Sequence, residues 1–518
     1  MTPKGKHTAR EARSKVKTLE ELGNISEAAR ENGLKVVLAH GVYDLVHMGH
    51  VRHLEAARRE GDLLIVTTTA DHLVNKGPGR PIFTENLRAE MLAALEYVDW
   101  VGISEAPSAE AVLDVIKPDV YVKGVDYENP DDDVTGNITQ EKELVEKHGG
   151  RLVITKDISF SSSELINKYL DVYDRPLRDY LDSHREAGTA EKINGLIESV
   201  KDYRVLLVGD AIIDEYQYVQ AMGKSPKENM IATRSTESEI FAGGVFAAAN
   251  HVASFCKEVE IITVLGNDDS REDFVRQSLK PNVTLNALYR DGVPTTRKCR
   301  FIDESYMRKL FEVYYFDDTP PDPAFEDQIT RAIADKAGDY DLVIAHDFGH
   351  GMLTAPSIAA LTEKSRFLAV NTQTNSANLG YNLITKYQKA DFVCIDAPEA
   401  QLAAGDRFSD IEVIVSERLS KQIDCKKFII THGNQGCVTF EDGSGAIRIP
   451  AFTKTVVDTV GAGDAFLAVT APLAAAGGSM EVIGFVGNAA GAIKVSIVGH
   501  RHSVEKLPLI RYITTLLK

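Results

Sequence analysis

The chain has 518 residues, of which 44% are hydrophobic and 26% charged, with a formal net charge of −18. At roughly 150 residues per domain, that length predicts several units rather than one. So acidic a chain disfavours nucleic acid and anionic lipid as partners, and any phosphate-handling site must concentrate its own cations locally.

No apolar run approaches the ~18–20 residues of a membrane-spanning helix. The basic N-terminal stretch lacks the apolar centre of a secretory signal and reads as a lead-in. Cys256, Cys299, Cys394, Cys425 and Cys437 are scattered with no CxxC pair. That pattern argues against a disulfide framework or a zinc cage and makes the cytoplasm the expected compartment. From about residue 35 to 170, strand and helix patterns alternate: KVVLAHG, HVRHLEAARRE, DLLIVTTTA, ENLRAEMLAALEYV, DVYVKG. Such alternation predicts a parallel sheet with crossover helices. Residues 171–201 are polar and charged without a strand signal, and read as a linker with some helix. A second α/β segment opens at RVLLVGD and continues through VEIITVLG, DLVIAHD, FLAVN, DFVCID and KFIITHG.

The first candidate site follows KVVLAHG. His47 and His50 stand three residues apart at a helix start, so both rings can face one pocket. Gly49 leaves room for a phosphate, and the helix N-terminus adds N–H donors and dipole. His53 extends the series, but no cysteine or acidic ligand accompanies it at metal spacing. The run HGVYDLVHMGHVRHLEAAR resembles the first motif of the HxGH nucleotidyltransferases. KGPGRPIFTENLRAEMLAALEYVDWV, DVYVKGVDY and SFSSSELI resemble later motifs of the adenylyltransferase domains that make ADP-heptose. The resemblance implies attack of a sugar-phosphate oxygen on the α-phosphate of a nucleoside triphosphate, with pyrophosphate leaving. His47 and His50 would then donate hydrogen bonds to the triphosphate. Asp44 and Gly49 would lie in the nucleotide-binding turn, and Lys76, Arg80 and Arg88 would clamp phosphates. Lys123 and Asp126 would line the sugar or base side, and Ser161, Ser162 and Ser163 would receive the leaving phosphates.

The second candidate site is VVDTVGAGDAFLAVTAPLAAA. Gly461, Ala462 and Gly463 let several backbone N–H groups converge at a helix start, which makes an anion hole. Asp464 stands beside it, where a base is needed to take a proton from a hydroxyl. DTVGAGD resembles the signature of the ribokinase, or phosphofructokinase B, family. That resemblance implies that Asp210, Asp214, Gly243 and Gly244 approach the sugar and that Thr431, Gly433 and Gly436 line the ATP site. Asp396 and Glu399 would organise Mg²⁺ near the ATP phosphates, with Glu399 as its ligand. Arg297 and Lys298 are candidates for holding a phosphate already on the sugar. The chain departs from the family at Asp396, where asparagine is usual, at Ala247 after the Gly-Gly motif, and in VNTQT.

The expected architecture is α/β throughout. A Rossmann-like HxGH nucleotidyltransferase domain spans 17–170 and a linker spans 171–201. A ribokinase-like α/β domain with a small lid spans 202–518. The pairing resembles the bifunctional heptose 7-phosphate kinase/heptose 1-phosphate adenylyltransferases with the domain order reversed. It implies ATP or another nucleoside triphosphate and Mg²⁺ as cofactors, sugar phosphates as substrates, a separate pathway phosphatase, and a homodimer. Two alternatives stay open: a CTP-dependent cytidylyltransferase for a polyol phosphate fused to a kinase for another sugar, and one decayed domain serving as a ligand-binding regulatory module.

Overall fold

The structure is a computed structural model describing residues 12–74, 80–106, 108–124, 137–155, 173–317 and 319–518. The chain forms two compact units, Met1–Arg178 with Ile510–Lys518, and Asp179–Leu509. The division differs from the expected boundaries. Within 171–201 lie two helices, Arg175–Glu186 and Thr189–Ser199, and the C-terminal residues group with the first unit. The second helix buries Thr189, Ile193 and Ile197, a one-sided stripe at helical spacing.

The first unit is built on a six-stranded parallel sheet of β1 (Val16–Lys17), β2 (Val36–Gly41), β3 (Leu63–Thr69), β4 (Trp100–Ser104), β5 (Val120–Gly124) and β6 (Arg151–Thr155). Its order is β1-β4-β3-β2-β5-β6. Strand period 2 sends alternate residues to opposite faces. Val37, Ala39, Leu64 and Val66 enter one core, and Val36, Leu38 and Ile65 the other. β2 pairs with β3 on one side and β5 on the other. The chain therefore changes direction across the sheet at the carboxyl end of β2, where open α/β sheets bind ligands. Helix α1 (Met48–Arg58) starts there, and α2 (Glu85–Ala93) follows β3.

The second unit has a nine-stranded sheet, with strands β7 (Arg204–Gly209), β10 (Glu258–Gly266), β11 (Val283–Arg290), β14 (Leu342–Asp347), β15 (Leu368–Thr372), β16 (Phe392–Asp396), β17 (Lys427–Thr431), β18 (Cys437–Glu441) and β19 (Gly445–Ile449). Its order is β11-β10-β7-β14-β15-β16-β17-β18-β19, antiparallel only at β17–β18 and β18–β19. A separate four-stranded sheet, β13-β12-β8-β9, is the expected lid. It comprises β8 (Ala211–Lys224), β9 (Ile231–Gly244), β12 (Arg297–Asp303) and β13 (Arg308–Tyr315). Helices α3 (Ala397–Ala404), α4 (Ala462–Ala475) and α5 (Met480–Lys494) carry or back the second site. α4 is buried along nearly its whole length, as its continuous apolar sequence requires. Among the described residues, no helix is long and apolar enough to cross a membrane.

Candidate active sites

In the first unit His47 is the N-cap of α1, and its Nδ1 accepts the Gly49 N–H at 3.0 Å. An acceptor Nδ1 leaves the ring proton on Nε2, so neutral His47 is a donor there. Burial lowers its pKa and favours that neutral form. The rings of His47 and His50 stack at 4.0 Å between centroids, and Tyr43 meets His50 edge-on at 5.1 Å. The two histidines of the motif thus pack against each other at the helix start.

The basic residues around this turn make buried contacts with the protein, and Arg88 departs from the expectation. Arg88 is fully buried, and all five of its N–H donors are spent on the protein. Nε donates to the Phe83 carbonyl at 3.0 Å. Nη1 reaches the Val42 carbonyl and Thr68 Oγ1, each at 2.5 Å. Nη2 reaches the Thr69 carbonyl at 2.7 Å and Asp71 Oδ1 at 2.6 Å. Arg88 therefore ties the ends of β2 and β3 together and has no donor left for a phosphate. The Arg80 side chain is buried against that of Asp44, with Nη1 to Oδ2 at 3.0 Å. Asp44 also accepts the Ile82 N–H at 2.6 Å, so it fastens the turn from within. Lys123 forms a buried pair with Glu141 at 3.0 Å. Lys76, Asp126, Ser161, Ser162 and Ser163 lie outside the described residues.

The second unit contains a cavity of about 560 Å³. Gly461, Ala462, Gly463 and Asp464 form one wall, at the N-terminus of α4. Gly461 has φ of 76°, and a Cβ there would stand 2.5 Å from the His500 ring, so only glycine fits. Asp464 is buried. Its Oδ1 accepts His346 Nε2 at 3.1 Å and Gln373 Nε2 at 2.7 Å. Burial works against its charge, but these partners outweigh it and lower its pKa.

The opposite wall comes from the lid. Asp214, Lys298 and Arg300 line the cavity. Asp214 pairs with Arg300 through Oδ1, and its Oδ2 lies 3.2 Å from His500 Nε2. Burial opposes its ionisation, yet Arg300 and His500 hold its pKa well below the usual range. Gly243 packs on this carboxylate, and a Cβ there would stand 1.9 Å from Oδ2. Gly244 lines the cavity beside it. Two expectations are corrected here. Arg297 turns to the other face of β12, where Nη1 bonds Glu215 at 2.6 Å and the guanidinium covers Tyr315. Strand alternation puts Lys298 and Arg300 on one face, a signal present in the sequence. Asp210 does not line this cavity; its Oδ2 accepts the N–H groups of Phe348 at 2.9 Å and His350 at 3.3 Å. Burial and nearby Asp347 raise its pKa to about 6.

Asp396 caps α3 in a reciprocal box with Glu399, each side chain accepting the other's backbone N–H at 2.9 Å. Glu399 also accepts the Thr374 N–H at 2.8 Å. Burial, with Asp396 beside it, pushes the Glu399 pKa up to about 8. Both residues line the cavity, as do Thr431, Gly433 and Gly436. No group of three or more His, Cys, Asp or Glu side chains able to hold a metal is found among the described residues. Two carboxylates lining one cavity still fit Mg²⁺, which keeps several waters and takes one or two carboxylates plus phosphates. His346, Gln373, Arg300 and His500 are site residues that the motifs alone did not single out.

Residues 203–507 match the family model described as pfkB family carbohydrate kinase. The chain belongs to that family. Residues 38–168 match the Cytidylyltransferase-like model, so this segment precedes the pfkB segment. Among curated relatives is the Bifunctional protein HldE of Syntrophotalea carbinolica, 37% identical over 172 residues, which is 33% of this chain and 34% of that protein. The HldE of Bradyrhizobium diazoefficiens is 26% identical over 309 residues, 59% of this chain and 62% of the relative. The chain thus spans about one third to six tenths of the length of these relatives. Similar solved structures include a ribokinase from Thermotoga maritima, with 17% identity and a TM-score of 0.47, covering 60% of this chain and 99% of that one. Escherichia coli phosphofructokinase-2 has 14% identity and a TM-score of 0.49, covering 60% and 99%.

Proposed function

We propose that the chain is a bifunctional enzyme of nucleotide-sugar synthesis. Its pfkB unit phosphorylates a sugar phosphate of the heptose 7-phosphate type with ATP. Its cytidylyltransferase-like unit transfers a nucleotidyl group from ATP to a sugar 1-phosphate and releases pyrophosphate. The observation that carries this reading is the pfkB cavity, where Asp464 and a glycine loop face Lys298 and Arg300. A base and an anion hole on one wall suit phosphoryl transfer, and two cations on the other suit an acceptor that already bears a phosphate.

In this reading the acceptor hydroxyl sits against Asp464. Oδ1 already holds His346 and Gln373, so Oδ2 takes the proton as the γ-phosphoryl group moves to the hydroxyl oxygen. The N–H groups at the start of α4 carry the charge on the transferring group. Asp214 orients the sugar beside Gly243 and Gly244. Thr431, Gly433 and Gly436 hold the nucleotide, and Asp396 and Glu399 would hold hydrated Mg²⁺, which neutralises phosphate charge when bound. In the first unit, Nε2 of neutral His47, with His50 and the α1 N-terminus around Gly49, binds the triphosphate during in-line attack. Lys76, Asp126 and Ser161–Ser163 keep the phosphate and sugar roles that their motifs imply. The kinase product would be a bisphosphate, so a separate phosphatase must act before nucleotidyl transfer. A cytoplasmic homodimer belongs to the same reading.

The test is mass spectrometry of products after mixing the protein with ATP, Mg²⁺ and D-glycero-D-manno-heptose 7-phosphate. A heptose bisphosphate with ADP is expected. Intact ATP and no product would remove the heptose assignment and direct the search to other sugars and polyols. A parallel panel of nucleoside triphosphates with a heptose 1-phosphate should release pyrophosphate fastest with ATP; a preference for CTP would favour the cytidylyltransferase alternative.

A further inference from the structure

Behind the glycine loop of the pfkB cavity lies a lysine that the mechanism above leaves unused. Lys494, the last residue of α5, is fully buried. Its Nζ donates to the Val460 carbonyl at 2.8 Å and the Gly499 carbonyl at 2.6 Å. The same two residues are held from their other side by Asp458. Its Oδ1 accepts the Val460 N–H at 3.1 Å and its Oδ2 the Gly499 N–H at 2.8 Å. One acid and one base thus grip the two main-chain segments.

Their positions matter. Val460 immediately precedes Gly461 of the anion hole. Gly499 immediately precedes His500, which contacts Asp214 and packs on Gly461. In a trans peptide the carbonyl and the following N–H point in opposite directions. Tying the Val460 carbonyl back to Lys494 therefore turns the Gly461 N–H away from the lysine. Gly461 lines the cavity and Lys494 does not, so that direction is toward the cavity.

A buried ammonium is costly, and burial lowers its pKa while Asp458, Asp464 and Asp214 oppose the shift. Two carbonyls could be satisfied by a neutral amide. A full charge below a loop shaped for a phosphoryl group adds a field that an amide does not.

We infer that Lys494 is a positioning residue for phosphoryl transfer: it orients the Val460–Gly461 peptide of the anion hole and supplies a fixed positive charge beneath it. This rests on the kinase reading of the cavity.

The test measures ADP release, which the kinase reaction produces and nucleotidyl transfer does not, in the full chain with the acceptor the parent turns over fastest. Lys494→Gln should melt like the parent, lose about 10- to 100-fold in kcat and keep its acceptor KM within about threefold. Lys494→Ala should regain rate with added ammonium chloride, which can refill the carbonyl seat, and not with tetramethylammonium chloride, which is too large. Lys494→Arg should retain more rate than Lys494→Gln. A folded Lys494→Gln with parental kcat overturns the inference, and so does equal response of Lys494→Ala to the two salts. If Lys494→Gln does not melt cooperatively, Lys494→Ala and Lys494→Arg decide in its place; failure of all three to fold makes Lys494 a core residue and overturns the inference as well. A parent that releases no ADP with any acceptor defeats the kinase reading itself, a result distinct from an active parent with unaffected variants.

Discussion

At the end of β2 the buried cations are turned onto the protein: Arg88 onto three carbonyls, Arg80 onto Asp44, Lys123 onto Glu141. In the pfkB cavity, Lys298 and Arg300 line open space facing the glycine loop. The difference follows from how each site is walled. The first is assembled from turns at strand ends, whose carbonyls have no ladder partner and need donors from side chains. The second is walled by a lid sheet that satisfies its own backbone and by a helix start whose first N–H groups have no intrahelical acceptor, so Lys298 lines the cavity while Arg300 lines it already paired with Asp214 and Glu312. A basic residue in a phosphate motif is thus as readily a brace as a ligand.

The sharpest way to break this comparison is Asp464→Asn, which removes the proposed base without changing shape. Phosphoryl transfer should fall about 10²–10⁴-fold, measured as ADP release, and an unchanged rate would sink the base assignment. Next in size is Arg88→Met. If Arg88 is a brace, the loss appears as stability, about 3–5 kcal/mol for breaking a buried charge network. Trp100 is the only tryptophan and sits in β4, so its fluorescence in urea follows the first unit alone. A variant with parental stability and a raised KM for nucleotide would return Arg88 to phosphate binding. Lys298→Met should raise the KM for a phosphorylated acceptor at least about tenfold through loss of a charge-assisted contact, while Arg297→Met should leave it nearly unchanged. Equal effects would undo the strand-face argument.

The smallest expected effect concerns pH. Burial opposes ionisation of Asp458, but Lys309 at 2.8 Å, Tyr216 at 2.6 Å and the Gly499 N–H hold its pKa down to about 2. A carboxylate lowered on folding contributes stability that is full above its unfolded pKa of about 4 and is lost as pH falls through the folded value. The melting-temperature gap between the parent and Asp458→Asn should therefore be constant above about pH 4 and shrink toward pH 2. A gap that widens on acidification would contradict the sign.

Much of this is legible in the sequence. Apolar runs such as KVVLAHG and DLVIAHD mark buried parallel strands, and DTVGAGD and HMGH carry enough constrained positions to identify two strand- or loop-to-helix turns. The edge strands β1 and β6, and β4 beside β1, are short and mixed in composition and carry no clear strand signal. Side-chain direction was legible only in part. Alternation on RKCR separates Arg297 from Lys298 and Arg300, but nothing local to Arg88 reveals that its acceptors come from β2 and β3. His346 and Gln373 lie 118 and 91 residues from Asp464, so their contact is a product of the fold alone.

The most direct test of the account is a two-by-two assay of Asp464→Asn and His50→Ala, each measured for ADP release and for pyrophosphate release under one set of conditions. Two separate active sites predict that Asp464→Asn loses only ADP release and His50→Ala loses only pyrophosphate release. If either variant abolished both activities while melting like the parent, or if His50→Ala released pyrophosphate at the parental rate, the account would be contradicted.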